Sequence, residues 1–571
     1  MKRTSLAAAA AALAIIALRV AAAGVDNGLW GVDFFRYITP TSTIVYTAIP
    51  ILLLVPSLFA RKFSSSSEER QPSVSRRGLL LLAPVVLMFI ASVATPLLGD
   101  GLERMEATAA GLKSLVGQPA PLDLLIHVAL YKILAAADSD SWRLSWLVWR
   151  SASYASGVFA LFFLFKLSGL RSKRWSGQSF IFLATFFSGT FIFFAGYVEN
   201  YVILAAALYG YLLLFELAGR GEAPVWTLFA GLIFLIGLHY FMVLLAPAVF
   251  FALYRHNIWR PPKAVLAVAA IILLVFVFMV SSIVQEHYRG LAIFVSPGDL
   301  LGYYHLIGFV NQQILASPGL PLLIPLAFMR RSRSSPDPLL CFAGSASLIL
   351  LVFFFILRPV IGPAADWDLF AIPSLVYTPW LVIRVQQRWR TIDDFRKISF
   401  SILAVVLVST LPWVSLNSRE SSSVARFKDL MEWEAGHNDW AASYGYYRLG
   451  KYFARSSQKE GRDQAARALE RALEINPDSA TLRLQTAQVF KALGRGEEAG
   501  KQMAEHHFLL AAFAERDGEY SRAAEQYEKA LAYEPSSKRI FKALLELYQG
   551  PLNDREKAAQ IKRAMERSGG D

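Results

Sequence analysis

The stretch PLLCFAGSASLILLVFFFIL, residues 338–357, decides the fold, because none of its 20 residues carries a charge. A helix of about 20 apolar residues is long enough to cross the hydrocarbon core of a bilayer. The whole chain has the same character, since 55% of its 571 residues are hydrophobic, more than a water-soluble core of ordinary size can bury. The sequence therefore predicts a polytopic, all-α membrane protein.

Apolar segments of similar length recur through the first 416 residues and predict about thirteen spans. The predicted spans are 5–23, 41–60, 78–97, 144–167, 178–196, 200–217, 225–238, 240–253, 264–284, 313–328, 338–357, 370–385 and 398–416. The first span could instead be a cleaved signal peptide, because Met-Lys-Arg precedes an alanine-rich run. The two short spans beside His239 could form one pair that dips into the membrane.

The basic residues give the predicted orientation. The net charge of +13 comes from short clusters between apolar segments, which argues against nucleic-acid binding and for membrane topology. With the N-terminus in the cytoplasm, the inner connections contain nearly all the basic charge of the loops, as the positive-inside rule requires. An odd number of spans then exports the C-terminus. We expect a bacterial inner-membrane protein with a periplasmic tail, or an extracellular tail where there is no outer membrane.

The chain divides into four predicted regions. They are a transmembrane hairpin (1–60), a basic cytoplasmic loop (61–77), a membrane domain (78–416) with an outer loop at 98–142, and a soluble tail (417–571). The tail has a repeat period near 34 residues. Small residues and a closing proline recur with the spacing typical of tetratricopeptide helices, in AARALERALEINPDS and again in GEYSRAAEQYEKALAYEPSS. We predict an α-solenoid of this type, irregular in the middle because Pro477 and Pro535 are not a whole number of repeats apart.

Ionisable residues collect at the predicted outer ends of the spans. Six separate segments contribute acids, histidines and arginines to this one surface, which is costly unless they line a hydrated or functional cavity. The candidates are Asp100, Arg104, Glu199, His239, His287, Arg289, Arg358, Asp366 and Asp368, with His305 and Asn311 on an amphipathic stretch at 296–315 as a wall of the site.

Several candidates also have structural explanations. Asp100 stands between two glycines before a predicted helix, so it could simply cap that helix. Asp366 and Asp368 could cap a helix in the same way, and the histidines could be ordinary interfacial residues. Glu199 is harder to explain as a structural residue, because the turn GYVENY is too short to be an ordinary solvated loop.

The arrangement from about residue 100 to 370 resembles the GT-C glycosyltransferases. The outer loop that opens with LLGDG, continues through a charged helix and reaches PLDLLIHVALYKIL (121–134) is similar to the first large outer loop of that superfamily. The resemblance implies an enzyme that transfers a sugar from a polyprenyl-phosphate carrier to a protein or glycan acceptor. Asp100 stands at the position where the family has its catalytic acid. The chain differs by its N-terminal hairpin and by having no DxD pair in this loop, so the use of a divalent metal is in doubt.

The resemblance gives each candidate a role. Asp100 would be the catalytic base, and a phosphate oxygen would be held by arginines, which bind such oxygens in a bidentate manner. Arg104, Arg289 and Arg358 are the candidates for that task, while Glu199, His239, Asp366 and Asp368 would bind the substrate. The lone Cys341 excludes an intrachain disulfide and a cysteine-based metal site.

Two other functions fit the sequence less well. An O-antigen ligase or polymerase is also polytopic, but its key residues lie in a long late outer loop, whereas the long loop here is early. A non-enzymatic scaffold would use the membrane domain only to anchor the repeats, which would recruit a protein partner.

Overall fold

A computed structural model describes residues 2–24, 28–59, 74–115, 118–135, 140–258, 293–329, 337–389, 392–456 and 458–568. Regular structure in these ranges is helical, apart from an isolated antiparallel bridge between Phe294 and Leu357. The predicted all-α class is therefore confirmed for this part of the chain. The predicted span 264–284 and the candidates His287 and Arg289 lie outside the described residues. The chain forms two compact units, Met1–Phe427 and Lys428–Asp571.

The first unit contains sixteen described α-helices. They are α1 (Lys2–Ala22), α2 (Pro40–Phe59), α3 (Val74–Ile90), α4 (Gly101–Ala110), α5 (Pro121–Leu134), α6 (Ser141–Arg171), α7 (Trp175–Phe186), α8 (Tyr201–Gly219), α9 (Trp226–Leu238), α10 (Ala246–Arg255), α11 (Tyr303–Ala316), α12 (Leu320–Phe328), α13 (Pro338–Ile356), α14 (Trp367–Phe370), α15 (Ser374–Arg388) and α16 (Ile392–Asn417). Short 3₁₀ helices occur at Phe34–Tyr37, Gly111–Leu115, Gly189–Phe194 and Tyr240–Leu245.

Helix α13 shows why the elements begin where they do. Pro338 occupies a first-turn position, where its missing N–H costs nothing, and the Asp337 carboxylate accepts the N–H of Leu340 at 3.0 Å. The helix then continues to Ile356. The uncharged stretch at 338–357 is thus one helix, as its composition predicts.

Several described helices are long and apolar enough to cross a membrane. Six meet this criterion within the described residues: Thr4–Ala22, Ser141–Arg171, Tyr201–Gly219, Pro338–Ile356, Trp367–Arg388 and Phe395–Asn417. Helices α11 and α12, bent by 84°, would make a seventh as one broken span. Four shorter apolar helices, Pro40–Val55, Arg77–Ile90, Trp226–Leu238 and Tyr240–Arg255, fall on further predicted spans. The chain is a multi-pass membrane protein, but its described helices give fewer full-length spans than the thirteen predicted.

The predicted span 178–196 is not one helix. Helix α7 ends at Phe186, and the chain continues as a 3₁₀ helix from Gly189. A side chain at Gly189 would overlap the carbonyl oxygen of Leu315, so the glycine permits a close approach of two backbones. Helix α16 satisfies the carbonyls at the break, since Thr410 donates to Phe187 O at 2.6 Å and Trp413 donates to Gly189 O at 3.2 Å.

The N-terminal hairpin is part of the first unit. Helices α1 and α2 pack against α16. The connector between them is held by Asn311, whose amide donates to Gly28 O at 2.7 Å and accepts the Gly31 N–H at 3.0 Å. Arg19 also donates to Gly31 O, at 3.2 Å. Both ends of the Asn311 amide therefore bind this connector, and its role as a wall of the outer site stays a prediction.

Two arginines and two acids join the helix ends at one side of the first unit. Arg171, at the end of α6, pairs with Glu216 of α8 at 2.7 Å and also with Asp337 before α13. Arg220 pairs with the other oxygen of Glu216 at 2.8 Å. We call Arg171, Glu216, Arg220 and Asp337 the paired cluster. Its two cations balance its two carboxylates.

The second unit is also helical. Helix α17 (Glu420–Ala435) leads into it from the first unit. It is followed by α18 (Asp439–Ala454), α19 (Lys459–Ile475), α20 (Ala480–Ala492), α21 (Gly496–Arg516), α22 (Tyr520–Tyr533), α23 (Lys538–Gln549) and α24 (Arg555–Ser568). Within this unit successive helices pack against each other, most extensively α18 on α19, α20 on α21 and α21 on α22.

The irregular part of the predicted repeat coincides with α21. This helix runs for 21 residues without a proline or an internal break. The two prolines used to define the repeat are Pro477 and Pro535, and each follows the end of a helix. Helix α21 contains no proline that would end it partway.

Candidate active site

Asp100 lies at a point where two other carboxylates meet the backbone. Gly99 has a φ of +65°, and a side chain at this position would overlap the carboxylates of Glu199 and Asp368. The Gly99 N–H donates to Ala365 O at 2.9 Å, which joins this turn to the segment before α14. A glycine is therefore required both for the backbone conformation and for the approach of the acids.

The Asp100 side chain does not cap α4. The residue stands at the N-cap position, but its carboxylate makes no capping hydrogen bond. Its side chain is 30% exposed and lies 3.5 Å from Arg104. The explanation of Asp100 as a simple helix cap is thus unsupported, and its carboxylate is accessible to a ligand.

Glu199 is buried beneath Asp100. One carboxylate oxygen accepts the N–H of Asp100, and the other accepts the N–H of Asn200 at 2.9 Å. Its side chain is 2% exposed, and Arg104 lies 3.9 Å away. Burial, reinforced by the charge of Asp368 and opposed by that of Arg104, raises the pKa of Glu199 well above its ordinary value. Glu199 thus holds the turn that presents Asp100.

Asp366 and Asp368 approach from the segment before and within α14. Tyr197 donates its hydroxyl to Asp368 at 2.9 Å, and the N–H of Leu369 donates to the other oxygen at 2.9 Å. Asp366 occupies the N-cap position of α14 without a side-chain capping bond. Loss of solvent, followed by the charges of Asp100 and Glu199, raises the pKa of Asp366 well above its ordinary value. Asp366 therefore belongs to the same electrostatic group.

We call Asp100, Glu199, Asp366 and Asp368 the carboxylate cluster. Arg104 is the cation that the structure pairs with it in the described part of the chain. The guanidinium also donates to Gln118 at 2.8 Å, from the connection between α4 and α5. Arg104 pairs with two of the four acids, and a group of carboxylates this close together favours shared protons or a ligand that brings hydrogen-bond donors.

His239 lies at the edge of this group. It is 1% exposed, its Nδ1 accepts the N–H of Phe241 at 3.3 Å, and its ring lies 5.6 Å from that of Tyr201. Burial and the nearby charge of Arg104 lower the pKa of His239 to about 3. The imidazole is therefore neutral near pH 7 and can act as a hydrogen-bonding group, but not as a cation.

The structure adds a buried pair that the sequence analysis missed. Asp123 and His127, both on α5, are fully buried, and the ring of His127 stacks on Trp149 at 3.5 Å. The His127 Nδ1 lies 2.8 Å from Asp123 O and 3.2 Å from the Asp123 carboxylate. The charge of Arg104 acts on Asp123, whose pKa burial raises. The i, i+4 spacing of Asp123 and His127 on one helix face was the available signal.

Two predicted site residues lie elsewhere in the described structure. Arg358 is exposed, and its backbone N–H donates to Ile293 O at 2.8 Å. His305 packs its ring on Phe355 at 5.0 Å. Among the described residues, neither side chain forms an ion pair with the carboxylate cluster.

A metal site is not preformed in the described residues. No group of three or more histidine, cysteine, aspartate or glutamate side chains there is arranged to hold a metal ion. What the cluster offers is an accessible carboxylate that can accept a proton and a guanidinium that can bind an anionic oxygen.

Comparison with known proteins gives limited information. No protein-family model and no curated protein matches the chain. Solved structures similar to it include ArnT from Cupriavidus metallidurans bound to undecaprenyl phosphate, with 15% identity and a TM-score of 0.34 over 83% of this chain and 81% of that one. The apo structure of the same ArnT has 14% identity and a TM-score of 0.32 over 76% of this chain and 80% of that one. Scores of this size do not establish a shared fold.

Proposed function

We propose that the chain is a membrane glycosyltransferase of the GT-C type. It would move a sugar from a polyprenyl-phosphate-linked donor to a protein or glycan acceptor on the outer face of the membrane. The observation that carries this proposal is the meeting of Asp100, Glu199, Asp366 and Asp368, with Arg104 beside the first two, from three separate segments of an otherwise apolar domain. Ionisable groups in such surroundings are costly, and function is the usual reason for keeping them.

The chemistry needs few groups. In an inverting transfer the acceptor oxygen forms a bond to the sugar C1 as the bond from C1 to the phosphate oxygen breaks, and the acceptor proton passes to a base. Asp100 is the proposed base because it is the accessible carboxylate with no capping bond. Arg104 is the proposed partner for the departing phosphate, while Glu199, His239, Asp366 and Asp368 would orient Asp100 or bind substrate hydroxyls.

The topology and the tail belong to the same proposal. We propose about thirteen spans with a cytoplasmic N-terminus in a bacterial inner membrane, so that the carboxylate cluster and the second unit are outside the cytoplasm. The helices of the second unit are proposed to form a tetratricopeptide solenoid that recruits the acceptor or a protein partner. The residues quoted for that repeat, such as Ala465, Leu469 and Ala472, are buried between its helices.

The deciding experiment is transfer of labelled sugar from a polyprenyl-phosphate donor by the purified protein. Asp100→Asn keeps the size of the side chain and removes its basicity, so we expect a loss of about 100-fold or more in the rate. Asp140→Asn is the matched control, because Asp140 is an exposed acid in the same outer loop that caps α6, and asparagine caps equally well.

The outcomes separate the alternatives. Loss in Asp100→Asn together with full activity in Asp140→Asn supports the enzyme. Equal activity in both variants contradicts the assignment of Asp100. If the native chain transfers no sugar from any carrier and the second unit captures a partner, the scaffold becomes the better interpretation.

A further inference from the structure

Asn200 is a buried residue whose side-chain amide has no hydrogen-bond partner among the described residues. It directly follows Glu199, and its own N–H donates to that carboxylate at 2.9 Å. The residue is 1% exposed. Among the described residues, neither the amide oxygen nor the amide nitrogen of its side chain has a hydrogen-bond partner.

The position of Asn200 makes this observation informative. It occupies the N-cap of α8, where an asparagine usually accepts a backbone N–H from the first turn and stabilises the helix by about 1 kcal/mol. Here the side chain makes no capping bond. A buried polar group without a partner costs about 1–3 kcal/mol. The protein therefore forgoes a local interaction and leaves the amide unpaired beside the carboxylate cluster.

We propose that Asn200 is a ligand-binding residue that recognises a neutral hydroxyl-bearing group, such as a sugar hydroxyl. An amide offers a donor and an acceptor at once, which matches a group that also does both. Ionised carboxylates can only accept, so the ligand oxygens near the cluster need donors, and Asn200 supplies them without adding charge. The identification of the ligand as a sugar rests on the proposed function, whereas the observation that the amide is unpaired in the described residues does not.

Leucine tests this assignment, because it has the same number and branching of side-chain heavy atoms and no polar atoms. If the amide has no partner in the protein, Asn200→Leu removes an unsatisfied group and raises the thermal midpoint in detergent micelles. The same variant should raise the KM for the sugar substrate about 10-fold, because the ligand loses its hydrogen bonds.

Tyr211→Phe is the matched control. Tyr211 lies on the same helix, is buried, and its hydroxyl also lacks a hydrogen-bond partner in the described residues. It is distant along α8 from Glu199, so its variant should gain thermal stability and keep the KM unchanged. A gain of stability in both variants, with a higher KM in Asn200→Leu alone, is the expected result.

Two results would overturn the proposal. A lower thermal midpoint in Asn200→Leu means that the amide has a partner in the protein, and a higher midpoint with an unchanged KM means that it touches no ligand. Asn200→Ala gives the same KM comparison if the leucine variant does not fold. Failure of the proposed function would appear separately, as the absence of sugar transfer by the native chain.

Discussion

The polar groups at the two ends of helix α8 differ in their balance of positive and negative charge. Glu199 precedes the helix and Glu216 lies near its end, so about 26 Å of helix separates them. At the Glu216 end, the paired cluster sets two arginines against two carboxylates. At the Glu199 end, the carboxylate cluster brings four acids together, of which Asp100 and Glu199 lie beside Arg104.

The difference supports the proposal that one end of α8 serves the fold and the other serves a ligand. Buried ions are costly, and partners with good geometry offset most of that cost. The paired cluster achieves this within the protein, so its role is to join helix ends. In the described residues the carboxylate cluster has Arg104 beside two of its four acids, which is why we propose that it serves a ligand. Three substitutions test this contrast.

The largest effect on stability is expected from Arg171→Met. The Arg171 side chain is 8% exposed, and its removal leaves Glu216 and Asp337 without their shared cation. Breaking a buried pair by removing one partner costs about 3–5 kcal/mol. We expect a large fall in the thermal midpoint in micelles, with unchanged sugar transfer per folded molecule.

The control for this variant is Arg143→Met. Arg143 is exposed on the same helix, so its loss should leave the thermal midpoint almost unchanged. If Arg171→Met were as stable as Arg143→Met, the paired cluster would not hold the helix ends. A loss of transfer without a loss of stability would instead connect it to the active site.

A smaller effect is expected from Tyr197→Phe. Tyr197 donates to the buried Asp368 at 2.9 Å. Leaving a buried acceptor without its donor costs about 1–3 kcal/mol, and within the described structure no ion pair joins a cation to Asp368. The thermal midpoint of Tyr197→Phe should therefore fall clearly.

The same substitution in the second unit provides the comparison. Tyr446 donates to Glu432 at 2.6 Å, but Glu432 is 49% exposed and also accepts two bonds from Arg471. Tyr446→Phe should cost less than about 1 kcal/mol, because the arginine and water remain as partners. If Tyr197→Phe and Tyr446→Phe lowered the thermal midpoint equally, Asp368 would have other hydrogen-bond partners.

Sequence reasoning found the carboxylate cluster because topology supplied the long-range information. Once the spans were ordered, Asp100, Glu199 and Asp366 had to lie at the same ends of neighbouring helices. Charged residues stand out against apolar segments, so each was visible without an alignment. Helix α13 was equally predictable, since its uncharged stretch and its cap are local features.

What sequence reasoning missed has a physical reason as well. Asn311 binds the connector at Gly28 and Gly31, almost 300 positions earlier in the chain, and no local pattern shows that contact. The break after α7 depends on the approach of Gly189 to Leu315, which is also a long-range contact. Asn200 was overlooked because it is uncharged, and the sequence does not show whether a buried amide has hydrogen-bond partners.

The finest test of the contrast is the pH dependence of Glu199→Gln. The pKa of Glu199 is raised in the folded protein, so between its ordinary value of about 4.5 and its folded value the native state binds more protons than the unfolded state. Native stability must then fall as pH rises through that window, by at most about 1.4 kcal/mol per pH unit for one group.

Glutamine cannot titrate, so Glu199→Gln should flatten the decline in thermal midpoint above pH 4.5, with the part due to Asp366 remaining. Glu106→Gln removes an exposed acid from α4 and leaves Glu199 in place, so its curve should keep the native slope. If the thermal midpoint fell equally steeply with pH in all three proteins, ionisation of Glu199 would cost the folded state no stability. In that case the excess of negative charge at this end of α8 would already be neutralised within the protein, and the contrast with the paired cluster would not hold.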